Sequence, residues 1–264
     1  MKQLARRVHS VLVLFGIDLR KTTRSLRGLP GYRRDLRLLK RQMTSVPEPF
    51  AFGTSRPCLG EESSDSGLAK GHYFHQDLLA ARRISLNNPT VHVDVGSRID
   101  GFVAHVAAFR SIEVLDIRPL PGEIPNVRFV RADLMAPVHD ELVDYCDSLS
   151  CLHALEHFGL GRYGDPIDHD GHLRGLDNLY RILKTGGTLY LSVPIGPQRI
   201  EFNAHRVFSV DYLIECLADR YRIDRFSFVD DRGDLHEDVP ITGQDALNSF
   251  GCQYGCGIFE MTKS

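Results

Sequence analysis

The sequence predicts an α/β fold with a mostly parallel sheet and helices on both faces. Three observations lead to this prediction. From Val91 onwards, strand-like apolar segments alternate with amphipathic helix-like segments, which is typical of parallel sheets. Residues 92–116 read as a strand, a glycine-bearing turn, a helix and a second strand. Residues 184–187 (KTGG) mark a helix end directly before another strand, since glycine accepts the conformation that ends helices.

The strand and helix boundaries follow from the apolar spacing. Strands are expected at 91–95, 112–115, 127–131, 146–151, 188–193, 223–229 and 257–262. Helices are expected at 73–84, 102–109, 138–145, 172–183 and 210–218. No helix is expected between the last two strands, which predicts an antiparallel pair at the C-terminal end of the sequence.

Charge divides the chain into unequal parts. Residues 1–42 contain 12 Lys or Arg against two acids, whereas the remainder contains 20 against 32. We therefore expect a basic helical arm over 1–45, broken at residues 29–31 (LPG), a linker over 46–70 and a catalytic domain over 71–264. Such an arm suits an anionic membrane surface, and packing on the body or on a partner is the alternative. The acidic body and the scarcity of aromatic residues in the arm argue against nucleic acid.

The cysteines and the N-terminal apolar run indicate the compartment. The six cysteines are scattered, without a Cys-x-x-Cys pair, as expected of a reduced, cytoplasmic protein. The apolar run at 8–17 is followed by basic residues and by no small-residue cleavage site, so export is not expected. We expect a cytoplasmic protein whose arm contacts the inner face of the membrane.

The glycine turn distinguishes between two classes of ligand. Asp116 follows Gly96 by 20 positions. An acid at that spacing suits the ribose hydroxyls of a dinucleotide or of S-adenosylmethionine. A dinucleotide motif would have glycine where Arg98 stands, because the pyrophosphate approaches the backbone there. Asp100, near the helix start, would repel a phosphate. The sequence therefore favours an adenosyl ligand without phosphates.

Six motifs in order resemble the class I S-adenosylmethionine-dependent methyltransferases. They are DVGSRIDG, LDIRP, VRADL, LHALEH, LKTGGTLYLSVP and GIFEMTK, and the resemblance covers about residues 91–262. It implies a Rossmann-like sheet of seven strands with an antiparallel last strand. More narrowly, residues 156–168 (EHFGLGRYGDPID) resemble an uncharacterised bacterial branch associated with polysaccharide and lipopolysaccharide gene clusters. This narrower resemblance implies O-methylation of a sugar or glycolipid precursor.

The resemblance assigns a set of positions at the strand ends to S-adenosylmethionine: Asp94, Gly96, Gly101, Asp116, Ile117, Asp133, Leu134 and Cys151. The first three would form the loop on the methionine side, and Asp116 would bind the ribose. Ile117 would pack on the adenine, whose amino group would meet Asp133 and the Leu134 backbone. Cys151, with Leu152, would line the methionine end.

The segment after the fourth strand is rich in ionisable groups that could act on an acceptor. A sugar hydroxyl needs a base, and His157 is the first candidate, with His153 second. The alternative for either histidine is a structural hydrogen bond. Arg162, Tyr163, His205 and Arg206 are candidate acceptor contacts, although Arg206 could instead hold a loop.

The sequence also bears on metal binding and on the alternatives to a methyltransferase. Residues 165–172 (DPIDHDGH) offer carboxylates and imidazoles, but Pro166 and Gly171 indicate an ordinary loop, so no metal is expected. A non-catalytic adenosyl-binding or scaffold protein of a polysaccharide assembly system is the main alternative to a methyltransferase. A nucleotide-dependent oxidoreductase is disfavoured by Arg98 and Asp100.

Overall fold

The computed structural model describes residues 12–43, 50–59 and 67–264. The chain forms two compact units, Met1–Leu68 and Ala69–Ser264. Parts of the expected arm and linker, at 1–11, 44–49 and 60–66, lie outside the described residues. In the described ranges, no helix has both the length and the apolar character needed to cross a bilayer.

The first unit contains a long helix, α1 (Leu19–Met43). Asp18 begins it, because its Oδ1 accepts the backbone N–H groups of Arg20 and Lys21 at 2.8 and 3.0 Å. The expected break at 29–31 is wrong, since the helix continues through Pro30. Proline removes one helical hydrogen bond, but the flanking turns are rich in Leu, Arg and Lys, which favour helix.

The second unit alternates strands and helices around one large sheet. Its elements are α2 (His72–Asn87), β1 (His92–Val95), α3 (Ala104–Ala107), β2 (Ile112–Asp116), β3 (Val127–Arg131), β4 (Cys146–Leu152), α4 (Gly171–Ile182), β5 (Leu183–Ile195), β6 (Arg199–Glu201), β7 (His205–Val207), α5 (Val210–Leu217), β8 (Tyr221–Val229), β9 (Leu235–His236), α6 (Gly243–Leu247) and β10 (Gly255–Lys263). A π-helical turn, Ile99–Val103, precedes α3, and a 3-10 turn, Leu155–His157, follows β4.

The large sheet has the strand order β3-β2-β1-β4-β5-β10-β8-β9. Strands β1 to β5 pair in parallel, and β10 runs antiparallel between β5 and β8. Strands β6 and β7 form a separate ribbon. The order reverses between β1 and β4, and open α/β sheets bind ligands beyond the carboxyl ends of strands at such a point.

The predicted fold class is confirmed, with changes at the edges. Each expected strand is present, and β9 extends the sheet beyond the seven that were expected. The expected helix at 138–145 is wrong: the segment contains the 3-10 turn Asp140–Leu142, and Asp144 has a φ of 48° that a right-handed helix does not accept. The short helix α6 lies between the last two long strands, where none was expected.

Helices cover both faces of the sheet, as predicted. Leu189 and Leu191 of β5 belong to the hydrophobic cluster that contains α4 and α5. Tyr190, between them, belongs to a second cluster with Ile84 of α2. Successive strand residues point to opposite faces, so these two clusters are the two sides of the core. The packed sheet leaves its carboxyl ends to form the site.

Candidate active site

A cavity of about 300 Å³ opens at the carboxyl ends of β1, β2 and β4. Its wall contains many of the residues predicted to bind cofactor or acceptor: Gly96, Asp116, Ile117, Asp133, Leu134, His153, His157, Arg162 and Tyr163. The fold thus brings together loops that are far apart in the sequence. The cavity lies where an open α/β sheet binds its ligand.

Asp94, at the end of β1, fixes the turn that follows it. Its buried carboxylate accepts hydrogen bonds from the N–H and hydroxyl groups of Ser97 at 3.0 and 2.7 Å, and from the hydroxyl of Ser150 at 2.5 Å. Burial, opposed by these hydrogen bonds, raises the pKa of Asp94 to about 6. Gly96 has a φ of 71°, and a Cβ there would lie 2.9 Å from the Cβ of Ala154. The carboxylate supports the turn, and the glycine presents bare backbone to the cavity.

In the rest of the glycine turn, Arg98 lines the cavity, but Gly101 lies further from it than predicted. Gly101 is outside the cavity wall, and its role is packing, because a Cβ there would lie 2.5 Å from Oδ2 of Asp77 on α2. Arg98 donates to Asp100 at 3.0 and 2.8 Å and lies 5.3 Å from the ring centroid of Tyr73. Arg98 and Asp100 therefore offset each other's charge at the exposed rim.

The carboxylate of Asp116, at the end of β2, is held by Arg118. The backbone N–H and Nε of Arg118 donate to Oδ1 at 2.8 and 3.0 Å, and Nη2 donates to Oδ2 at 2.5 Å. Nη2 also donates to the Gly96 carbonyl at 3.2 Å, and the guanidinium lies 4.5 Å from the ring centroid of Tyr163. The predicted ribose acid is thus already bonded to a neighbouring side chain.

Beyond β3, the wall combines a polar group with apolar surface. Asp133 accepts the N–H of Met135 at 2.9 Å, and Leu134 is buried beside it. Cys151 does not follow its prediction: it is fully buried in the core cluster that faces α4. Strand residues alternate between faces, so Leu152 is the β4 residue that reaches the cavity. Of the two residues predicted to line the methionine end, Leu152 lines the cavity and Cys151 does not.

Glu156 is a buried carboxylate between two histidines. Its Oε1 lies 2.6 Å from Nδ1 of His153 and 3.6 Å from Nε2 of His157. Burial acts to lower the pKa of His153, but Glu156 and its other neighbours raise that pKa well above its ordinary value. Burial lowers the pKa of His157. At neutral pH, His153 is therefore an imidazolium paired with Glu156, whereas His157 is neutral.

The ring of His157 is oriented by the backbone between β6 and β7. Its Nδ1 donates to the carbonyl of Ala204 at 2.6 Å, which leaves the lone pair on Nε2. Nη1 of Arg162 donates to the same carbonyl at 3.0 Å. The Tyr163 ring meets His157 edge-on, with 5.5 Å between the ring centroids. These contacts set one tautomer at the cavity wall.

The acidic loop after His157 is held by its own hydrogen bonds. The carboxylate of Asp165 accepts three backbone N–H groups at 2.9, 3.1 and 3.1 Å, those of Gly159, Gly161 and Tyr163. Asp168 pairs with Arg174 at 2.7 Å, and His172 bonds the hydroxyl of Tyr212 at 2.7 Å. Residues 165–170 therefore form a hydrogen-bonded loop, and Gly171 and His172 begin α4.

The two predicted acceptor contacts from β7 lie outside the cavity wall. Arg206 is buried and donates to the backbone carbonyls of Phe158, Asp168 and His169. His205 Nε2 lies 3.2 Å from Glu201, and its ring centroid lies 5.0 Å from that of Tyr254. Arg206 holds the loop because its guanidinium reaches three carbonyls, and His205 braces the ribbon.

Sequence reasoning missed the roles of Arg118 and Glu156. A signal was available for Arg118, since an arginine two positions after a strand-terminal acid can fold back onto it. For Glu156, the signal was its position three residues after His153, which brings the two side chains together in the 3-10 turn. Both residues hold side chains that the sequence did identify: Arg118 donates to Asp116, and Glu156 pairs with His153.

Comparison with protein families and curated proteins gives no activity. A family model described as "Caenorhabditis protein of unknown function, DUF268" matches residues 128–231, which include β3 to β8. No curated protein matches the chain. The family match therefore adds a related sequence family without a known function.

Comparison with solved structures shows the fold. One neighbour is the Burkholderia thailandensis 1,6-didemethyltoxoflavin-N1-methyltransferase, crystallised with 1,6-didemethyltoxoflavin and S-adenosylhomocysteine: 15% identity, a TM-score of 0.50, and coverage of 72% of this chain and 78% of that one. Another is the [4+2]-cyclase SpnF, with 15% identity, a TM-score of 0.51, and coverage of 72% and 80%. The second unit thus has the Rossmann-like fold of methyltransferases. The neighbours carry different names, so the fold leaves the reaction open.

Proposed function

We propose that the chain is an S-adenosylmethionine-dependent methyltransferase that O-methylates a sugar or glycolipid precursor. The observation that carries this proposal is the cavity that joins Gly96, Asp116 and His157 from three strand ends. The neighbour that binds S-adenosylhomocysteine supports the class of cofactor, because its fold is similar. The family resemblance of residues 156–168 supports the class of acceptor.

The cavity residues suit an adenosyl ligand. The bare backbone at Gly96 would receive the methionine portion, and Asp116 would accept the ribose hydroxyls after Arg118 releases it. Ile117 and Leu134 offer apolar surface to the adenine, and Asp133 offers an acceptor for its amino group. When bound, the cofactor supplies a methyl group that its sulfonium activates.

His157 is the base that we propose for the acceptor hydroxyl. Its pKa is lowered, so Nε2 keeps its lone pair at neutral pH, and the Ala204 carbonyl holds the ring in place. After Nε2 takes the proton, the Glu156 carboxylate 3.6 Å away would stabilise the imidazolium. His153 is unsuitable as a base, because its proton is already held by Glu156.

The rim of the cavity suits an acceptor with a sugar ring. Tyr163 is partly exposed and lies between two cations, with 4.5 Å from its ring centroid to Arg118 and 5.3 Å to Arg162. An aromatic face can pack on a sugar ring, and arginine can bind a phosphate or carboxylate on the same molecule. Tyr163 and Arg162 are the acceptor contacts that we propose.

A non-catalytic adenosyl-binding or scaffold protein is the second candidate. One observation favours it: Arg118 occupies both oxygens of Asp116, with Tyr163 packed against the guanidinium. In this alternative, ligand binding would serve assembly rather than chemistry. The two candidates differ in turnover, which a transfer assay measures directly.

Methyl transfer is tested with radiolabelled S-adenosylmethionine and an envelope glycan extract. We expect the full chain to label the glycan or glycolipid fraction, and the His157→Ala variant to label it far less. Binding of the ligand without labelling of any fraction would favour the scaffold protein. Label confined to protein or nucleic acid would contradict the proposed acceptor.

We also propose that the basic arm contacts a membrane surface and that the protein lies at the inner face of that membrane. The basic side chains of Arg20, Arg24, Arg33 and Arg37 on α1 are exposed. Each basic residue near an anionic lipid surface contributes about 1 kcal/mol. The charge of α1 supports this proposal, and vesicle binding tests it.

A further inference from the structure

Three side chains with metal-binding atoms meet beside the cavity. They are His72 at the start of α2, His153 just after β4, and Cys256 on β10. One candidate ligand atom from each lies within 4.8 Å of the other two. His153 and Cys256 are buried, and His72 is partly exposed. Three separate elements therefore converge on one small polar space.

His153 is oriented as a metal-binding histidine commonly is. Its Nδ1 faces the Glu156 carboxylate at 2.6 Å, while its buried Nε2 has no hydrogen-bond partner among the described residues. Carboxylate–histidine pairs of this kind fix the ring and direct the other nitrogen at an ion. The backbone of His153 has a φ of 51°, a costly conformation for a residue with a side chain. The structure thus holds Nε2 in place without giving it a partner.

We propose that His72, His153 and Cys256 bind one divalent transition-metal ion of the zinc class. A thiolate with two imidazoles is a set that zinc prefers, whereas magnesium and calcium prefer oxygen ligands. Three protein ligands leave a fourth tetrahedral position for water. A thiolate and neutral imidazoles are the forms that bind a metal ion, so binding at these three residues would release protons.

The geometry needs a small adjustment for an ion to bind. Tetrahedral zinc separates its nitrogen and sulfur ligands by roughly 3.3–3.6 Å, so atoms up to 4.8 Å apart must move closer. Rotation of the His72 side chain at the start of α2 can provide this movement.

The ion would tie α2 to the central sheet next to the proposed cofactor site. His153 lines the cavity, whereas His72 and Cys256 do not. Metal binding by this cluster does not depend on methyl transfer, and its test uses no activity. Failure of one proposal therefore leaves the other standing.

Cobalt absorption spectroscopy tests the proposal on the full chain. Chelator-treated protein is titrated with Co²⁺, and Zn²⁺ is then added to displace it. We expect one Co²⁺ per chain, a thiolate-to-cobalt charge-transfer band, and strong visible bands of four-coordinate cobalt. Cys256→Ser should abolish the charge-transfer band, and His72→Gln should weaken binding. Glu156→Gln should weaken it by about 10- to 100-fold, because it orients a ligand without touching the ion.

Two matched variants act as controls. Cys252→Ser removes another buried thiol of the same segment, and His75→Gln removes another histidine of α2; both should leave the cobalt spectrum unchanged. If Cys256→Ser does not fold, the partly exposed His72 and the Glu156 variant carry the test. A folded wild-type chain without the thiolate band would overturn the proposal. A band that survives Cys256→Ser would overturn it as well.

Discussion

The cavity has two walls that are built in different ways. The cofactor-side wall (residues 95, 96, 98, 115–118 and 132–135) is made mainly of strand ends and turns, with Asp94 buried beneath it. The loop wall (residues 153–165) is rich in ionisable side chains. Asp165 and Glu156, on the loop wall, each hold several neighbours in place.

The two walls differ in how well a sequence pattern predicts the role of their residues. On the cofactor-side wall, the spacing of Gly96 and Asp116 follows the backbone of the fold, so the pattern predicts positions well. On the loop wall, a high density of ionisable groups suggests chemistry, but most of these groups stabilise the loop. His157 differs from the others, because it is neutral, oriented and open to the cavity.

The largest expected effect is on the loop wall. His157→Ala should slow methyl transfer by about 10²- to 10⁴-fold, since a positioned base is lost, with little change in cofactor affinity. The wild-type rate should fall only when the pH drops below the ordinary histidine range, because the pKa of His157 is lowered. His169→Gln, an exposed histidine of the same loop, is the control in steady-state kinetics. A wild-type rate in the Ala variant would remove His157 as the base.

The second prediction concerns the buried carboxylate of Asp94, which lies beneath the cofactor-side wall. Asp94 has a folded pKa of about 6, above its unfolded value, so its ionisation costs stability as the pH rises through that window. Asp94→Asn should therefore become more stable relative to wild type between pH 4 and pH 7, by an amount of the order of 3 kcal/mol. Urea unfolding at both pH values measures this difference.

The control for this prediction lies in the same turn. Asp100 is exposed, and its hydrogen bond from Arg98 lowers its pKa. Asp100→Asn should show a smaller trend of opposite sign, because that carboxylate stabilises the fold when ionised and loses this effect as the pH falls. A stability difference for Asp94→Asn that is constant with pH would mean that the carboxylate is not penalised by burial.

Substitutions of Asp116 and of Arg118 should have opposite effects on the affinity for S-adenosylmethionine. Asp116→Ala should weaken S-adenosylmethionine binding by about 1.5–3 kcal/mol, the value of a hydrogen bond to a charged group. Arg118→Ala should strengthen it by about two- to tenfold, because Asp116 is then free for the ribose. Isothermal titration calorimetry measures both. Unchanged affinity in the first variant, or loss of affinity in the second, would show that the ribose lies elsewhere.

The smallest effect concerns the arm. The cavity wall is formed by residues of the second unit, so deletion of residues 1–45 should change cofactor affinity by less than about twofold. The same deletion should abolish co-sedimentation with anionic vesicles, and neutral vesicles are the control. Loss of the fold on deletion would mean that the arm is part of the core.

Much of the fold was predictable from local pattern. The runs that form β1 to β4 are short and apolar, and the apolar run at 188–193 lies within β5. The boundary expected at residues 184–187 is wrong, because β5 begins at Leu183, directly after α4. The absence of a helix at 138–145 could not be predicted from the local sequence. Asp144 has a positive φ, and its N–H donates to the carbonyl of Arg181, which is distant in the sequence. Helix α1 continues through Pro30 because the residues on both sides favour helix. A prediction that rests on one proline alone misses this.

The site was predictable in its positions and less so in its partners. Asp116 and His157 were identified because the family pattern fixes where they stand. The bonding of Asp116 to Arg118, and of Arg206 to three carbonyls, depends on how side chains fold back across loops. The meeting of His72, His153 and Cys256 depends on the order of β4, β5 and β10 in the sheet. Such contacts follow from topology and cannot be inferred from spacing along the chain.

The most direct test of the central claim is ligand binding by the full chain. Calorimetric titrations with S-adenosylmethionine, S-adenosylhomocysteine and NAD compare the two ligand classes at one site. We predict one-to-one binding of both adenosyl ligands and no binding of NAD, because Arg98 lines the cavity where a dinucleotide turn has the glycine that lets a pyrophosphate approach the backbone. Binding of NAD, or failure of both adenosyl ligands to bind, would contradict it.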